Sequence, residues 1–255
     1  MLSTASLGRL ASRKLVRYGA LAVAAYAIGA IQVPRLVQRR YSTEPVIDHF
    51  DLEWGEGKSI RFNAAGSTTV EVTTTAWLGV ATALLDMSKS VVPVLVLRRA
   101  YPGQHLDALW ASAATIGQML PPQHGFRGGR GEAMLTGTAL ALDPLSVPVS
   151  VAISQVVGIY VLRDPLMGAH SWTGILTLYF LARRRPELAA WTLSVNLVRW
   201  AMSIPEMLEM NRHHRAGEYE TREFHEAFEA NHIGYIHKWL RERRLVHYAY
   251  MDEDA

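Results

Sequence analysis

A glycine- and arginine-rich segment is the part of the chain best suited to chemistry. Residues 126–132 read FRGGRGE, directly before an apolar run. Glycine lets backbone N–H groups approach a ligand closely, arginine offers paired planar donors to phosphate, and a helix N-terminus adds partial positive charge. The segment predicts a phosphate-binding loop at the membrane face; the alternative is a tight turn whose arginines are positive-inside charges. The residues of the predicted loop are Arg127, Gly128, Gly129, Arg130 and Gly131.

A second set of charged residues lies within long apolar runs. Asp86 and Lys89 stand three positions apart in residues 74–97, so on a helix they share one face and can pair. Each would cost about 2.5–3.5 kcal/mol at the centre of a membrane-spanning helix, and such charges usually face a bundle interior or a polar cavity. The alternative is a pair near one end of the helix that reaches water. Asn196 and Arg199, in the last apolar run, are also expected to face the interior.

Other side chains give weaker indications of chemistry. His124 stands two residues before Phe126 and could act as a base near neutral pH, although most such residues are ordinary loop histidines. The chain has no cysteine, which excludes thiolate catalysis and sulfur-bound metals. The histidines of the C-terminal part follow no usual ligand spacing. We therefore expect neither a metal nor a cofactor.

The elements that must position these residues are helices that cross a membrane. The chain is 49% hydrophobic, and its apolar residues form long blocks, most of them able to cross a hydrocarbon core of about 30 Å. The fourth block is too short to span unless flanking residues extend it. We therefore predict an all-α, polytopic transmembrane helix bundle with six or seven spans in the cell membrane, and no β-sheet of consequence. The predicted helices are residues 16–36, 74–97, 106–120, 132–142, 145–162, 167–182 and 188–207.

The charges at the two ends of the chain bear on targeting and orientation. Four basic residues precede the first apolar run, as in a signal peptide, but Pro34 and Arg35 follow it in place of a cleavage site, so we expect a retained spanning helix. The basic C-terminal part favours a cytoplasmic C-terminus, which with seven spans puts the N-terminus outside. The formal net charge of +3 is modest, and it indicates membrane lipid rather than nucleic acid as a partner.

The last part of the chain differs in composition from the rest. Residues 1–208 hold the apolar blocks and form the predicted transmembrane domain, whereas residues 209–255 are rich in Glu, Arg and His and form a predicted charged amphipathic tail. The tail suits the membrane interface; the alternative is a helix packed on a loop or on a protein partner. Its apolar residues at helical spacing are Phe224, Phe228, Ile236 and Leu240.

The charged features and the segment between them resemble three motifs of a known family. Residues 86–93, DMSKSVVP, are similar to Asp-x-x-Lys-Gly-x-x-Pro, and residues 117–121, GQMLP, are similar to Gly-His-x-x-Pro. Residues 126–131, FRGGRG, are similar to Phe-x-Gly-Gly-Lys-Gly. On these motifs the chain resembles the bacterial acyl-phosphate-dependent glycerol-3-phosphate acyltransferases, as a divergent member.

Several departures from the family's motifs concern the acceptor side of the site. Arg130 replaces the lysine of the glycine loop. In the first loop Ala65 stands where the family has a serine, unless another register uses Ser67. Met207 and Met210 stand where the third motif has a histidine and an asparagine. The phosphate-binding part is therefore retained, whereas the groups that position and activate the acceptor hydroxyl are altered.

The resemblance implies a membrane acyltransferase of phospholipid synthesis, which moves an acyl chain from acyl phosphate to glycerol 3-phosphate. It also implies that Lys89, Arg130 and Ser67 are catalytic, and that Asp86 binds substrate together with the glycine loop. The altered motifs leave an alternative from another class. The chain would then be a non-catalytic descendant that binds lipid or phosphate, or a structural subunit of a membrane assembly whose tail contacts a protein partner. We favour the enzyme.

Overall fold

The structure, a computed structural model, describes residues 4–55, 57–230, 235–243 and 245. Within these residues helices dominate, with one two-stranded sheet and short 3-10 and π segments. The elements are α1 (Thr4–Gly29), α2 (Val33–Tyr41), β1 (Phe50–Trp54), β2 (Lys58–Phe62), α3 (Ser67–Thr73), α4 (Ala76–Ala100), α5 (Leu106–Met119), α6 (Glu132–Leu142), α7 (Ser146–Val156), α8 (Pro165–Ala182), α9 (Pro186–Arg215), α10 (Arg222–Ala230) and α11 (Tyr235–Glu242).

The predicted helices from the second to the sixth are found within a few residues of their predicted bounds. A π-helical segment, Val157–Leu162, completes the fifth, and α6 is the short helix that the sequence indicates, with 11 residues. Helices α4 to α9 follow one another through short loops, so they alternate in direction. The end of α5, the start of α6, the start of α8 and the end of α9 therefore lie at one end of the bundle.

The first predicted helix is interrupted, so the prediction of one helix over residues 16–36 is wrong. Three residues separate α1 from α2. Pro34 in the first turn of α2 has no N–H to donate to a preceding carbonyl, which ends the helical ladder there. Two carbonyl groups at the break accept from Lys89, whose Nζ lies 2.7 Å from the oxygen of Ile31 and 3.4 Å from that of Gly29.

The bundle has polar side chains among the apolar ones of its interior, and it exposes many large apolar side chains on its outside. Exposed apolar side chains along several helices, together with buried polar ones, fit a bundle surrounded by lipid. Two helical stretches, Lys14–Tyr41 and Ala76–Ala100, are long and apolar enough to cross a membrane by length and composition. Buried polar residues include Thr82, Ser90, Thr138, Ser150 and Asn196. Exposed apolar residues include Leu84, Val92, Leu178, Leu197 and Ile204.

Small residues let the first and third predicted helices approach closely. A Cβ on Gly117 of α5 would lie 2.2 Å from the carbonyl oxygen of Tyr26 in α1. A Cβ on Gly29 would likewise lie 1.9 Å from the carbonyl oxygen of Ala114. Close backbone contact of this kind is a common way to pack helices in lipid, where the hydrophobic effect does not drive their association.

The prediction of an all-α chain without a sheet of consequence is wrong at one place. Strands β1 and β2 form an antiparallel hairpin in which Leu52 pairs with Ile60. Their apolar residues alternate with charged ones, and the alternate positions Leu52, Trp54, Ile60 and Phe62 are buried. This period of two is the strand pattern. The strands have only five residues each, so the alternating pattern is short, and the sequence did not lead us to predict the hairpin.

The hairpin and the predicted tail form a second apolar core. Buried residues of the hairpin pack with Tyr219, Phe224 and Phe228 from beyond the end of α9. Helix α9 itself continues through position 208 to Arg215, so the predicted division between residues 1–208 and 209–255 falls inside a helix. The alternative that the tail packs on a loop therefore holds for this part. The side chain of Ile236 and residues 246–255 lie outside the described part of the chain.

We expect Phe224→Leu to loosen the tail from the hairpin. Phe224 is fully buried and stacks on Tyr219 with ring centroids 4.4 Å apart. Removing the ring leaves a partly unfilled core, at a cost of about 1–2 kcal/mol. Limited proteolysis should then cut residues 216–230 faster than in the parent protein. The exposed neighbour Glu223→Ala is the matched control, and equal cleavage of both variants would contradict the packing.

Candidate functional site

A cavity of about 140 Å³ opens at the end of the bundle where α5 ends and α6 begins. The loop after β2, the start of α3, the glycine loop and the first turns of α6 and α8 surround it. Its wall therefore combines segments that are far apart in the sequence. The polar or charged residues on this wall are Ser67, Thr68, Asp86, Gln118, Arg130, Glu132 and His170.

The glycine loop folds tightly onto the end of α5. The N–H of Gly128 donates to the carbonyl of Met119 and the N–H of Gly129 donates to that of Gln118, each at 3.1 Å. A Cβ on Gly128 would lie 2.1 Å from the carbonyl oxygen of Gln118, so only glycine fits. Gly131 lies in the left-handed region with φ of 70°. The expectation that the N–H groups of Gly128 and Gly129 face a phosphate is therefore corrected, because main-chain carbonyls take both.

The two arginines of the loop have different surroundings. The Arg130 guanidinium lies on the cavity wall, donates to Glu206, and lies 5.1 Å from the centroid of the Phe62 ring. Its Nη1 lies 3.1 Å from Nε2 of His170. Because arginine only donates, Nε2 of His170 must be the acceptor, which places the proton of the neutral imidazole on Nδ1. The side chain of Arg127, by contrast, is exposed and is not part of the cavity wall.

The pair in α4 faces the interior, as expected from the cost of exposing it to lipid. Lys89 Nζ lies 2.8 Å from Oδ1 of Asp86, and it also donates to Oε1 of Gln118 at 2.6 Å and to Ile31. Gln118 Nε2 in turn donates to Oδ2 of Asp86 at 3.1 Å. Asp86 lies on the cavity wall, and Gln118 connects it to the glycine loop, because the main-chain carbonyl of Gln118 also accepts the N–H of Gly129. Lys89 lies behind it, with its three N–H donors engaged.

Each of the charged side chains at this cavity has a partner of opposite sign. Asp86 pairs with Lys89, and Glu206 pairs with Arg130. Glu206 also accepts the N–H of Asn63 at 2.8 Å, which ties the loop after β2 to α9. The third pair is Glu132 with Arg199. An anionic ligand that takes the guanidinium of Arg130 must therefore compete with the carboxylate of Glu206.

Sequence reasoning missed several residues of the site and included others, such as Arg127, that are not on its wall. His170, Glu132 and Glu206 had no assigned role, although Glu206 and Arg199 stand seven positions apart in one predicted helix and so share a face. Arg199 was expected to face the interior, and it is 1% exposed. His124 is not on the cavity wall; partial burial, with the nearby positive charges of Arg35 and Arg39, lowers the pKa of its imidazole.

The profile of the family described as glycerol-3-phosphate acyltransferase matches residues 19–210, which include every residue named on the cavity wall. The chain belongs to this family. A relative from Geobacter sulfurreducens, named glycerol-3-phosphate acyltransferase, is 30% identical over 183 residues, which cover 70% of this chain and 86% of the relative.

Two solved structures share the fold. Both are of PlsY (YgiH), described as an integral membrane glycerol 3-phosphate acyltransferase, in its lysphosphatidic acid form and its glycerol 3-phosphate form. The first has a TM-score of 0.59 at 18% identity and covers 77% of this chain and 92% of PlsY. The second has a TM-score of 0.57 at 20% identity and covers 79% of this chain and 93% of PlsY.

Family membership confirms three predictions made from the sequence. The resemblance to glycerol-3-phosphate acyltransferases is confirmed, and so is the preference for an enzyme. The helical fold is that of an integral membrane protein, which confirms a membrane location. The individual roles of Lys89, Arg130 and Ser67 stay predictions.

Proposed function

We propose that this acyltransferase moves an acyl chain from acyl phosphate to the hydroxyl of glycerol 3-phosphate. We further propose that it crosses the cell membrane six or seven times, since α6, with 11 residues, is short for a span. The observation that carries the proposal is Arg130, a guanidinium on the wall of a cavity at one end of the bundle. Both proposed substrates carry a phosphate, which such a group binds strongly, and one carries a lipid tail that can remain in the membrane.

Arg130 is the proposed phosphate ligand. In the structure its donors point to Glu206 and His170, and a phosphate offers more negative charge than one carboxylate. We propose that binding turns the guanidinium from Glu206 to the phosphate. Gly128, Gly129 and Gly131 allow this, because they hold the loop against α5 without side chains that would fill the space. Arg127, exposed beside the cavity, is proposed to attract the anionic substrates.

Lys89 and Asp86 have different proposed roles. Lys89 binds carbonyl groups at the end of α1 together with Asp86 and Gln118, so it is proposed as a positioning residue rather than a direct phosphate ligand. Asp86 and Ser67 lie on the cavity wall, where their oxygens can accept from the hydroxyls of the acceptor. Holding the two substrates in a reactive orientation would supply much of the rate.

The proposed reaction is a single acyl transfer that needs no cofactor. The acceptor hydroxyl oxygen attacks the carbonyl carbon of the acyl phosphate, and the bond between that carbon and the phosphate oxygen breaks. The hydroxyl proton passes to the departing phosphate, so the products are lysophosphatidate and inorganic phosphate. Donors near the cavity that face developing negative charge would lower the barrier.

The direct test is an acyl-transfer assay on the purified protein in lipid nanodiscs. With acyl phosphate and labelled glycerol 3-phosphate, we expect labelled lysophosphatidate and one equivalent of inorganic phosphate. Product formed from acyl thioesters but not from acyl phosphate would overturn the proposed donor. Phosphate binding without any product would favour the non-catalytic alternative. Two observations support that alternative: the altered third motif, and the ion pair that already engages Arg130.

Ser67→Ala should weaken the use of the acceptor more than that of the donor. The hydroxyl lies on the cavity wall at the start of α3, and one neutral hydrogen bond contributes about 0.5–1.5 kcal/mol. We expect KM for glycerol 3-phosphate to rise about three- to tenfold, with KM for acyl phosphate little changed. Ser88→Ala, on an exposed position of α4, is the matched control. Equal kinetics of the two variants would remove Ser67 from the site.

A further inference from the structure

A second cavity, of about 250 Å³, lies between the loop that joins α4 to α5 and the loop that joins α8 to α9. Since α5 runs from this cavity to the glycine loop, the two cavities lie at opposite ends of the bundle. We propose that it binds the phosphate group of an anionic phospholipid. The residues that line it are Arg98, Tyr101, Pro102, Gly103, His105, Asp107, Arg185 and Glu187.

Arg98 carries a buried donor that lacks an acceptor. Its Nη1 is enclosed, and among the described residues no hydrogen-bond partner lies within reach of that nitrogen. The other arginine of the cavity is already engaged, since Arg185 Nε lies 3.0 Å from Oε1 of Glu187. Burying a guanidinium N–H without an acceptor costs free energy, so the site is completed when the cavity holds an oxygen ligand.

The charge around the cavity favours an anion as that ligand. Arg17 lies over the ring of Tyr101, 4.4 Å from its centroid, and so brings a third guanidinium to the rim. Arg99 and Arg184, both exposed, lie at the same end of the bundle. These arginines outnumber the nearby carboxylates, and the paired planar donors of guanidinium match phosphate oxygens. A single water needs only about 10–15 Å³ of cavity volume, so a cavity of about 250 Å³ has room for a phosphate group.

The position of the cavity favours a lipid as the source of the phosphate. In a membrane-spanning bundle, the ends of α4 and α8 lie at the depth of the lipid headgroups. Exposed apolar side chains continue from there along both helices, at Val92 and Val96 of α4 and at Leu178 and Leu181 of α8. A lipid with its phosphate at Arg98 could lay its acyl chains along these side chains. This site is separate from the proposed active site and does not depend on its chemistry.

The test counts lipids bound to the intact protein. Purified protein in phosphatidylcholine nanodiscs is exchanged with increasing phosphatidylglycerol, and the lipids retained are counted by native mass spectrometry. We expect Arg98→Gln to weaken retention of one phosphatidylglycerol about tenfold or more, since a charge-assisted hydrogen bond is lost. The matched control is Arg99→Gln, which removes the same charge from the next, exposed position of α4 and should change retention less than twofold.

A second arm separates the lipid from free phosphate. Inorganic phosphate is titrated by calorimetry into the parent protein and into Arg98→Gln, each in phosphatidylcholine nanodiscs. Binding of inorganic phosphate that depends on Arg98, without retention of phosphatidylglycerol, would overturn the lipid source. Equal retention in Arg98→Gln, Arg99→Gln and the parent would overturn the site itself. Acyl transfer is measured on the same samples, so failure of the proposed function would show separately as absence of product.

Discussion

Arg130→Ala is expected to reduce kcat/KM for acyl transfer by about 100- to 1000-fold. The guanidinium is the charged donor on the cavity wall that can turn to a phosphate, and loss of one donor to developing charge in other enzymes costs this much. Binding of a non-reactive acyl phosphate analogue should weaken about ten- to a hundredfold. Turnover is followed by release of inorganic phosphate, and Arg39→Ala, on an exposed position of α2, is the matched control.

The same substitution should also lower stability. Sequence alone places Arg130 in a loop, where its loss would change stability little, but the structure pairs it with the buried Glu206. Removing one partner of a buried ion pair leaves an uncompensated charge. The double variant Arg130→Ala with Glu206→Gln should therefore recover thermal stability without recovering turnover. If the double variant regained activity, Arg130 would have only a structural role.

Lys89→Met is expected to lower the free energy of unfolding by about 3–5 kcal/mol, the cost typical of breaking a buried ion pair. The substitution leaves Asp86, which is 4% exposed, without its cation. It also removes one of two donors from the carbonyl of Ile31 at the break between α1 and α2, where the N–H of Val33 is the other. The loss would be measured as denaturant or thermal unfolding of the protein in detergent. Lys58→Met, at a more exposed lysine of β2, should change stability by less than about 1 kcal/mol.

A second variant separates the charge from the packing of Lys89. Lys89→Met combined with Asp86→Asn removes both charges, so most of the lost stability should return, as it does when a buried ion pair is replaced as a unit. Activity should stay low, because Asp86 lies on the cavity wall. If Lys89→Met alone were as stable as the parent, the ammonium would not be holding α1, α4 and α5 together. Its role as a positioning residue would then be lost.

The sequence by itself determined the helices from α4 to α8, the two charged features and the family. Helical periodicity and long apolar blocks depend on neighbours in the chain, so they can be read locally, and α6 even begins and ends at the predicted residues. The glycine loop could also be recognised from the sequence, because FRGGRG combines glycine and arginine, whose chemistry indicates phosphate binding. The motifs at residues 86–93 and 117–121 added the resemblance that the family match confirmed.

Only the tertiary structure decided which charges meet. Arg130 contacts His170 and Glu206 across separations of 40 and 76 residues, and Glu206 reaches Asn63 across 143. These pairings depend on how α6, α8 and α9 pack, and no local pattern encodes that geometry. The hairpin was not predicted from the sequence for a related reason. Its buried face is short, and its aromatic partners Tyr219 and Phe224 come from the other end of the chain, so the core exists only once both segments are folded.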